Sequence, residues 1–279
     1  MKPQALPILL LLLLTTAACL DTRHTAVVPM PCEDPSVDWG YGASDGPDLW
    51  PELSTCFALC GTGAFQSPIE LGGATPESST QEILVDYYPA PVSWTREGLR
   101  LSLDFDGNSS LAFGERSYNL QQILVHTPAE HVIDGRPAAA ELQFVHRDPE
   151  GRSAIIGLLI EEGPDHPTLA ELWPSLPSAD GSGTGFGTLD ISSLIPKQGP
   201  TYRYTGSLTT PPCFEGAQWI IYQQPLTVSA SNLALLAERF EGNSRPEQPL
   251  AGRQVTLVDG GITVLENVQQ PQGPAGFGQ

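Results

Sequence analysis

The chain has 279 residues, enough for one large domain or two small ones with a substantial buried core. Its formal net charge of -19 excludes general electrostatic binding to nucleic acid or to an anionic membrane surface. The 28 glycines and 27 prolines break the sequence into short strand-forming runs, which points to a mainly β architecture with few short helices.

The first 18 residues read as a signal peptide. Lys2 supplies a minimal positive start, and residues 5–14 form a leucine-rich run too short to span a bilayer. Thr16-Ala17-Ala18-Cys19 then resembles a bacterial lipobox, in which the cysteine is lipidated and becomes the mature N-terminus. Thr16 stands where such boxes carry Leu, and ordinary cleavage near Ala18, leaving Cys19 as a free thiol, is the alternative. The cysteines Cys19, Cys32, Cys56, Cys60 and Cys213 are odd in number, and lipidation of Cys19 leaves four for an oxidising compartment. This reading predicts an exported lipoprotein of the bacterial cell envelope, held to the membrane through Cys19. A secreted or periplasmic soluble protein is the alternative. Residues 19–38 are the lipidated cysteine and a proline-punctuated tether.

From Trp39 onward turn signals dominate, and regular structure starts near Gln66-Ser67-Pro68. Residues 99–105 alternate as a strand, and Asp106-Gly107-Asn108 reads as a hairpin turn into a second strand at 110–113. Residues 118–126 and 140–146 read as two further strands joined by a loop. Alternation puts Gln122, Leu124 and His126 on one face of the first, and Glu141, Gln143 and Val145 on one face of the second. If those faces meet, the patch combines a histidine, two amides, a carboxylate and two aliphatic side chains. Residues 154–160 form an apolar run suited to a strand buried on both faces. A helix is expected at 169–176, a glycine-rich loop at 181–187 and a central strand at 217–222. A second helix is expected over 229–240, capped by Ser229 or Ser231. No composition break interrupts residues 39–254, which read as one domain. Residues 255–279 are a C-terminal extension: a possible hairpin about Asp259-Gly260-Gly261, then a Gln-, Gly- and Pro-rich tail that reads as disordered.

Gly206-Ser207-Leu208-Thr209-Thr210-Pro211-Pro212-Cys213 is the most specific stretch. With Gln66-Ser67-Pro68, Trp39-Gly40-Tyr41-Gly42, Ala129-Glu130-His131, Ala139-Ala140-Glu141-Leu142 and Asn243-Ser244-Arg245-Pro246, it resembles the α-class carbonic anhydrases, in order and spacing, over about 39–254. The resemblance implies a roughly ten-stranded, mostly antiparallel twisted central sheet with a conical site at its centre. In that family three histidines from two neighbouring strands hold a zinc ion, whose bound water becomes the nucleophile for CO2.

Carried over residue by residue, the ligand positions are Leu124, His126 and Gln143, so His126 alone keeps an imidazole. Leu offers no lone pair, and a neutral amide is a poor zinc ligand beside His, Cys or carboxylate. Thr209 and Glu130 match the pair that orients zinc-bound hydroxide, with Thr donating to Glu. Gln122 and Glu141 match residues that hold ligand imidazoles in their tautomer. Val145, Leu208 and Trp219 match the apolar wall of the CO2 site. His131 and His146 match structural histidines. The resemblance pairs Cys60 with Cys213, which leaves Cys32 for Cys56. It implies that the family's Zn2+ has been lost, and that no cofactor is held. The expected function is a binding or structural module with an unidentified protein or small-molecule partner. A genuine carbonate dehydratase with an atypical metal site is the alternative. On the first view Gln143 donates to Glu141, and Leu124 fills volume left by ring and metal.

Overall fold

A computed structural model describes residues 37–78, 81–105, 107–184 and 187–265. The signal peptide, Cys19, Cys32, the tether up to residue 36 and the tail beyond residue 265 lie outside the described residues.

Two short helices, α1 (Trp50–Leu53) and α2 (Leu59–Thr62), bring Trp50, Phe57, Cys60 and Cys213 into a small core, with Trp39 and Tyr41 packed against it. Strands β1 (Thr75–Glu77), β2 (Ile83–Asp86), β3 (Ala90–Glu97) and β4 (Arg100–Phe105) follow. Next come β5 (Ser110–Phe113) and the long β6 (Arg116–His126). A small hairpin, β7 (Val132–Ile133) and β8 (Arg136–Pro137), carries the chain into β9 (Ala140–Arg147) and β10 (Ser153–Glu162). After helix α3 (Pro167–Ser175) lie β11 (Gly181–Gly183), β12 (Thr188–Leu189), β13 (Pro200–Ser207), β14 (Glu215–Tyr222) and β15 (Leu226–Val228). Helix α4 (Ala230–Phe240) and strands β16 (Thr256–Asp259) and β17 (Ile262–Val264) close the described chain.

Among the described residues these strands build one 15-stranded sheet, with a main path β1-β16-β13-β14-β10-β9-β6-β4-β3-β11. Most neighbours are antiparallel; β1 with β16, β10 with β14, β10 with β15 and β2 with β17 are parallel. The mainly β expectation holds, and the main path is the expected ten-strand sheet in size and sense.

Alternation sorts the central strands onto two apolar faces. Val125, Leu142, Phe144, Ile156 and Leu158 join one cluster beneath α3 and α4, which add Leu169, Trp173, Leu236 and Phe240. Val145, Ile155, Leu159, Leu208 and Trp219 join the other. β10 is buried over its first eight residues, as its apolar run requires. No helix among the described residues is long and apolar enough to cross a membrane.

Several local expectations need correction. Strand β5 does not form a hairpin with β4: both pair antiparallel to β6, β4 against Gln122–Leu124 and β5 against Arg116–Asn119, because β6 is long enough to take two partners end to end. The glycine-rich segment is not wholly loop. Gly181–Gly183 pairs with β3, where a Cβ on Gly183 would meet the Trp94 ring at 3.0 Å. Ser229 occupies the N-cap of α4, but its hydroxyl lies 3.0 Å from Ser231 Oγ and makes no cap hydrogen bond. Residues 255–265 do not form a hairpin either. β16 pairs with β13 and β1, and β17 pairs with β2, so the sheet continues past residue 254.

Candidate functional site

Strands β6 and β9 lie antiparallel, with Gln122 opposite Val145, Leu124 opposite Gln143 and His126 opposite Glu141. The two faces predicted to meet do meet. A bulge between Leu120 and Gln122 makes this possible, since an extra residue shifts the parity of a strand. Tyr118 and Leu120 therefore share the opposite core face with Ile123 and Val125, while Gln122, Leu124 and His126 turn toward a cavity of about 230 Å³.

Glu141 and Gln143 come from adjacent pleats of β9, and Gln143 is the hub of the cavity floor. Its Nε2 donates to Glu130 Oε2 at 2.7 Å and to Glu141 Oε1 at 3.1 Å, and its Oε1 accepts from Thr209 Oγ1 at 3.2 Å. The sequence-derived bond to Glu141 is present. The expected direct donation from Thr209 to Glu130 is replaced by a bridge, because the Gln143 amide lies between them with an acceptor on one side and donors on the other.

Both carboxylates are buried, and each of their oxygens accepts at least one hydrogen bond. Glu130 Oε1 accepts the Arg245 N–H at 2.8 Å. Glu141 Oε2 accepts the N–H groups of Glu130 and His131, and its Oε1 lies 2.8 Å from His131 Nδ1. Burial by itself raises the Glu141 carboxyl, but the His131 contacts outweigh it and hold the group below its ordinary value. Burial pulls the Arg245 guanidinium down to about 10, with Glu130 opposing the shift. Its Nη atoms donate to the Ser67 and Cys60 carbonyls.

His126 is 2% exposed. Its Nδ1 lies 2.8 Å from the Asn243 carbonyl, while Nε2 is buried without a partner. Asn243 also accepts from Thr127 N and donates to the Val125 and Leu99 carbonyls, which fixes the end of β6. Gln122 accepts from Ser102 Oγ at 2.9 Å. Val145 and Leu208 line the cavity, joined by Ile155 and Leu124. Trp219 packs in the same apolar cluster, and its Nε1 donates to the Ser207 carbonyl. Asn243, Arg245 and Ile155 were not singled out in the sequence. The motif around Asn243 signals only that a segment matters, whereas the contacts that use it span more than a hundred residues.

Cys60 and Cys213 are disulfide-bonded, 153 residues apart in sequence. Cys56 is also disulfide-bonded, and its expected partner Cys32 lies outside the described residues. The Cys60–Cys213 bridge anchors the loop that carries Thr209. A second staple lies close by: Ser67 N donates to Ser207 Oγ and Ser207 N donates to Ser67 Oγ. A Cβ at Gly206 would collide with Ser67 Oγ, so close approach of the two motifs requires glycine there.

The donors around His126 do not fit zinc. Structural and catalytic zinc sites use at least three His, Cys or carboxylate ligands, and among the described residues no such group of three is placed to hold a metal. Leu124 and Gln143 line the same cavity as His126, the Gln143 amide oxygen already accepts from Thr209, and the Glu130 carboxylate lies 3.5 Å from the Nδ1 side of the ring.

Comparison with known proteins places this geometry in a family. The family model described as eukaryotic-type carbonic anhydrase matches residues 45–259. The carbonic anhydrase of Nostoc sp. is 34% identical over 251 residues, covering 88% of this chain and 95% of that protein. The carbonic anhydrase of Neisseria gonorrhoeae is 33% identical, with 84% and 96% covered. Among solved structures, the alpha-carbonic anhydrase from Thermovibrio ammonificans, in complex with the inhibitor sulfanilamide, superposes with a TM-score of 0.75 at 30% identity, covering 79% of this chain and 99% of that one. Dioscorin complexed with ascorbate superposes with a TM-score of 0.72 at 29% identity, covering 80% and 98%. The chain therefore belongs to the eukaryotic-type, or α-class, carbonic anhydrase family.

Proposed function

We propose that this member of the family is an envelope lipoprotein whose cone binds or scaffolds a partner without zinc-dependent CO2 hydration. The observation that carries the reading is the Gln143 hub. In place of a third imidazole, the amide ties Thr209, Glu130 and Glu141 into one closed set of hydrogen bonds, and Leu124 faces it with hydrocarbon. Buried carboxylates need donors, and Gln143 supplies them where a ligand histidine once stood. The pair that orients hydroxide in the family is thereby engaged with protein groups. The family's scaffold also serves binding elsewhere, since dioscorin has been solved with ascorbate.

Metal analysis together with a CO2-hydration assay on the purified protein tests this reading. The expected result is substoichiometric zinc and no hydration above background; near-stoichiometric zinc with catalysis would sink it. The second reading, a genuine carbonate dehydratase with an atypical metal site, is favoured by the curated relatives named as carbonic anhydrases. The double variant Leu124→His, Gln143→His is expected to recover zinc binding, because the two positions are directly opposed across β6 and β9. A folded double variant that takes up no zinc counts against convergence of the strands on a metal position. Membrane anchoring through Cys19 is part of the proposal. Mass spectrometry of the mature N-terminus is expected to find a lipidated cysteine, and an unmodified Cys19 would overturn that part.

A further inference from the structure

Asn108-Ser109-Ser110 is an Asn-x-Ser stretch, the pattern that accepts N-linked glycans in exported proteins. Asn119, Asn232, Asn243 and Asn267 have neither Ser nor Thr two residues on, so the pattern occurs once in the chain. It lies between β4, which ends at Phe105, and β5, which begins at Ser110. Asn108 is exposed and outside both strands, and its side chain makes no hydrogen bond among the described residues. Its neighbour is fixed. The Ser109 hydroxyl accepts from Tyr88 N at 3.0 Å and donates to the Tyr88 carbonyl at 3.3 Å, and the Ser109 carbonyl accepts from Leu120 N at 2.9 Å. Asn108 is thus an exposed, unengaged amide on a pinned segment.

We infer that Asn108 is a modification site, the acceptor of an N-linked oligosaccharide transferred from a polyprenyl-diphosphate donor on the export side of the membrane. In the transfer, Asn108 Nδ2 forms a bond to the anomeric carbon of the first sugar. The bond from that carbon to the donor's phosphate oxygen breaks, the diphosphate leaves with the electron pair, and one amide proton passes to a base of the transferase. The fold accommodates the product, because an exposed amide gives up no internal hydrogen bond when it is substituted. Tyr88, bonded to Ser109 and 40% exposed, offers apolar surface for the first sugar to cover. Ser110 sets the timing. Its backbone pairs with Asp86 on β2 and with Asn119 on β6, so the folded chain cannot lend this residue to another enzyme's cleft. Transfer therefore precedes closure of β5 between its neighbours, on the newly exported chain. The inference rests on export through the N-terminal signal and is independent of whether the cone holds zinc.

Mass spectrometry of the full chain isolated from the cells that make it tests the inference. The tryptic peptide of residues 101–116 carries Asn108 and is expected to gain the mass of an oligosaccharide. Asn108→Gln and Ser110→Ala, expressed in the same cells, are expected to lose that mass entirely, and Ser110→Thr to keep it. The parent's own peptide decides the matter if a variant is not recovered. An unmodified Asn108 in a chain whose signal peptide has been removed would overturn the inference, as would a glycan that survives in Ser110→Ala. An intact signal peptide would also overturn it, by removing export, and is read from the N-terminal peptide of the same sample. Zinc content and CO2 hydration, which decide the reading of the cone, move none of these outcomes.

Discussion

Gln143 satisfies two buried carboxylates with one amide, so its removal should cost more than a typical surface change. The variant Gln143→Ala leaves Glu130 and Glu141 each short of a donor. The expected loss is about 2 kcal/mol, or roughly 5 °C in melting temperature for a chain of this size. An unchanged melting temperature would refute the re-packed core. His146 supplies a second residue-scale prediction. It is fully buried, with Nε2 2.7 Å from Tyr87 Oη and Nδ1 3.1 Å from the Ala154 carbonyl, and burial lowers its pKa from 6.5 to about 4. The unfolded chain binds the proton more readily than the folded one, so stability is complete above about 6.5 and declines as pH falls toward 4. The total from this residue is on the order of 3 kcal/mol. Glu141, whose folded pKa is depressed, adds its own loss only below the ordinary carboxyl value of 4.5. Urea midpoints measured between pH 7 and 5 should therefore fall in the parent protein and stay flat in His146→Gln. The Gln143–Glu141 contact was legible in the sequence because positions two apart on a strand share a face. The contacts of Gln143 with Glu130 and Thr209 were not, being 13 and 66 residues away along the chain.

Among the elements, β6 shows what a pattern can and cannot fix. Its two halves read as one alternating strand, yet the bulge between Leu120 and Gln122 is what gives the upper half the parity that aims Leu124 and His126 into the cavity. Nothing in the string Asn119-Leu120-Gln121-Gln122 marks the extra residue, because a bulge is chosen by the neighbouring strand's register. The loop carrying Thr209 is held differently, by the Cys60–Cys213 disulfide and the reciprocal Ser67–Ser207 bonds. A bridge across 153 residues restricts the unfolded chain strongly, and loops above 100 residues are worth roughly 4–5 kcal/mol by chain entropy. Cys60→Ala with Cys213→Ala is expected to lower the unfolding free energy by about that amount, read as a shift in urea midpoint. A shift below about 1 kcal/mol would indicate that the serine staple and packing suffice.

At the scale of the whole molecule, the last described strands join the main sheet. β16 pairs with β13 and β1, and β17 extends the pairing of β2, while Arg203 donates to the Gly260 carbonyl across this seam. Truncation after residue 254 should therefore abolish cooperative unfolding, as followed by near-ultraviolet circular dichroism. A cooperative transition in the truncated chain would mean that the sheet is complete without them. Residues 255–265 could not be placed from sequence because a glycine pair between two apolar runs signals a hairpin locally, and only the presence of β13 and β2 as better partners cancels it. The same reasoning covers β5, whose local turn signal was overridden by the free half of β6.

The sequence by itself determined the mainly β class, the family motifs, the pairing faces of β6 and β9, and the residues at the centre of the site. These depend on side-chain chemistry and strand periodicity, which are local. Tertiary structure alone decided the bulge that sets parity, the partners of β5, β16 and β17, and the bridge of Gln143 between Thr209 and Glu130. It also decided that His126 Nε2 is buried without a partner. Each of these is a competition among distant groups for the same hydrogen bonds, and such competition is resolved only when the chain has brought them together.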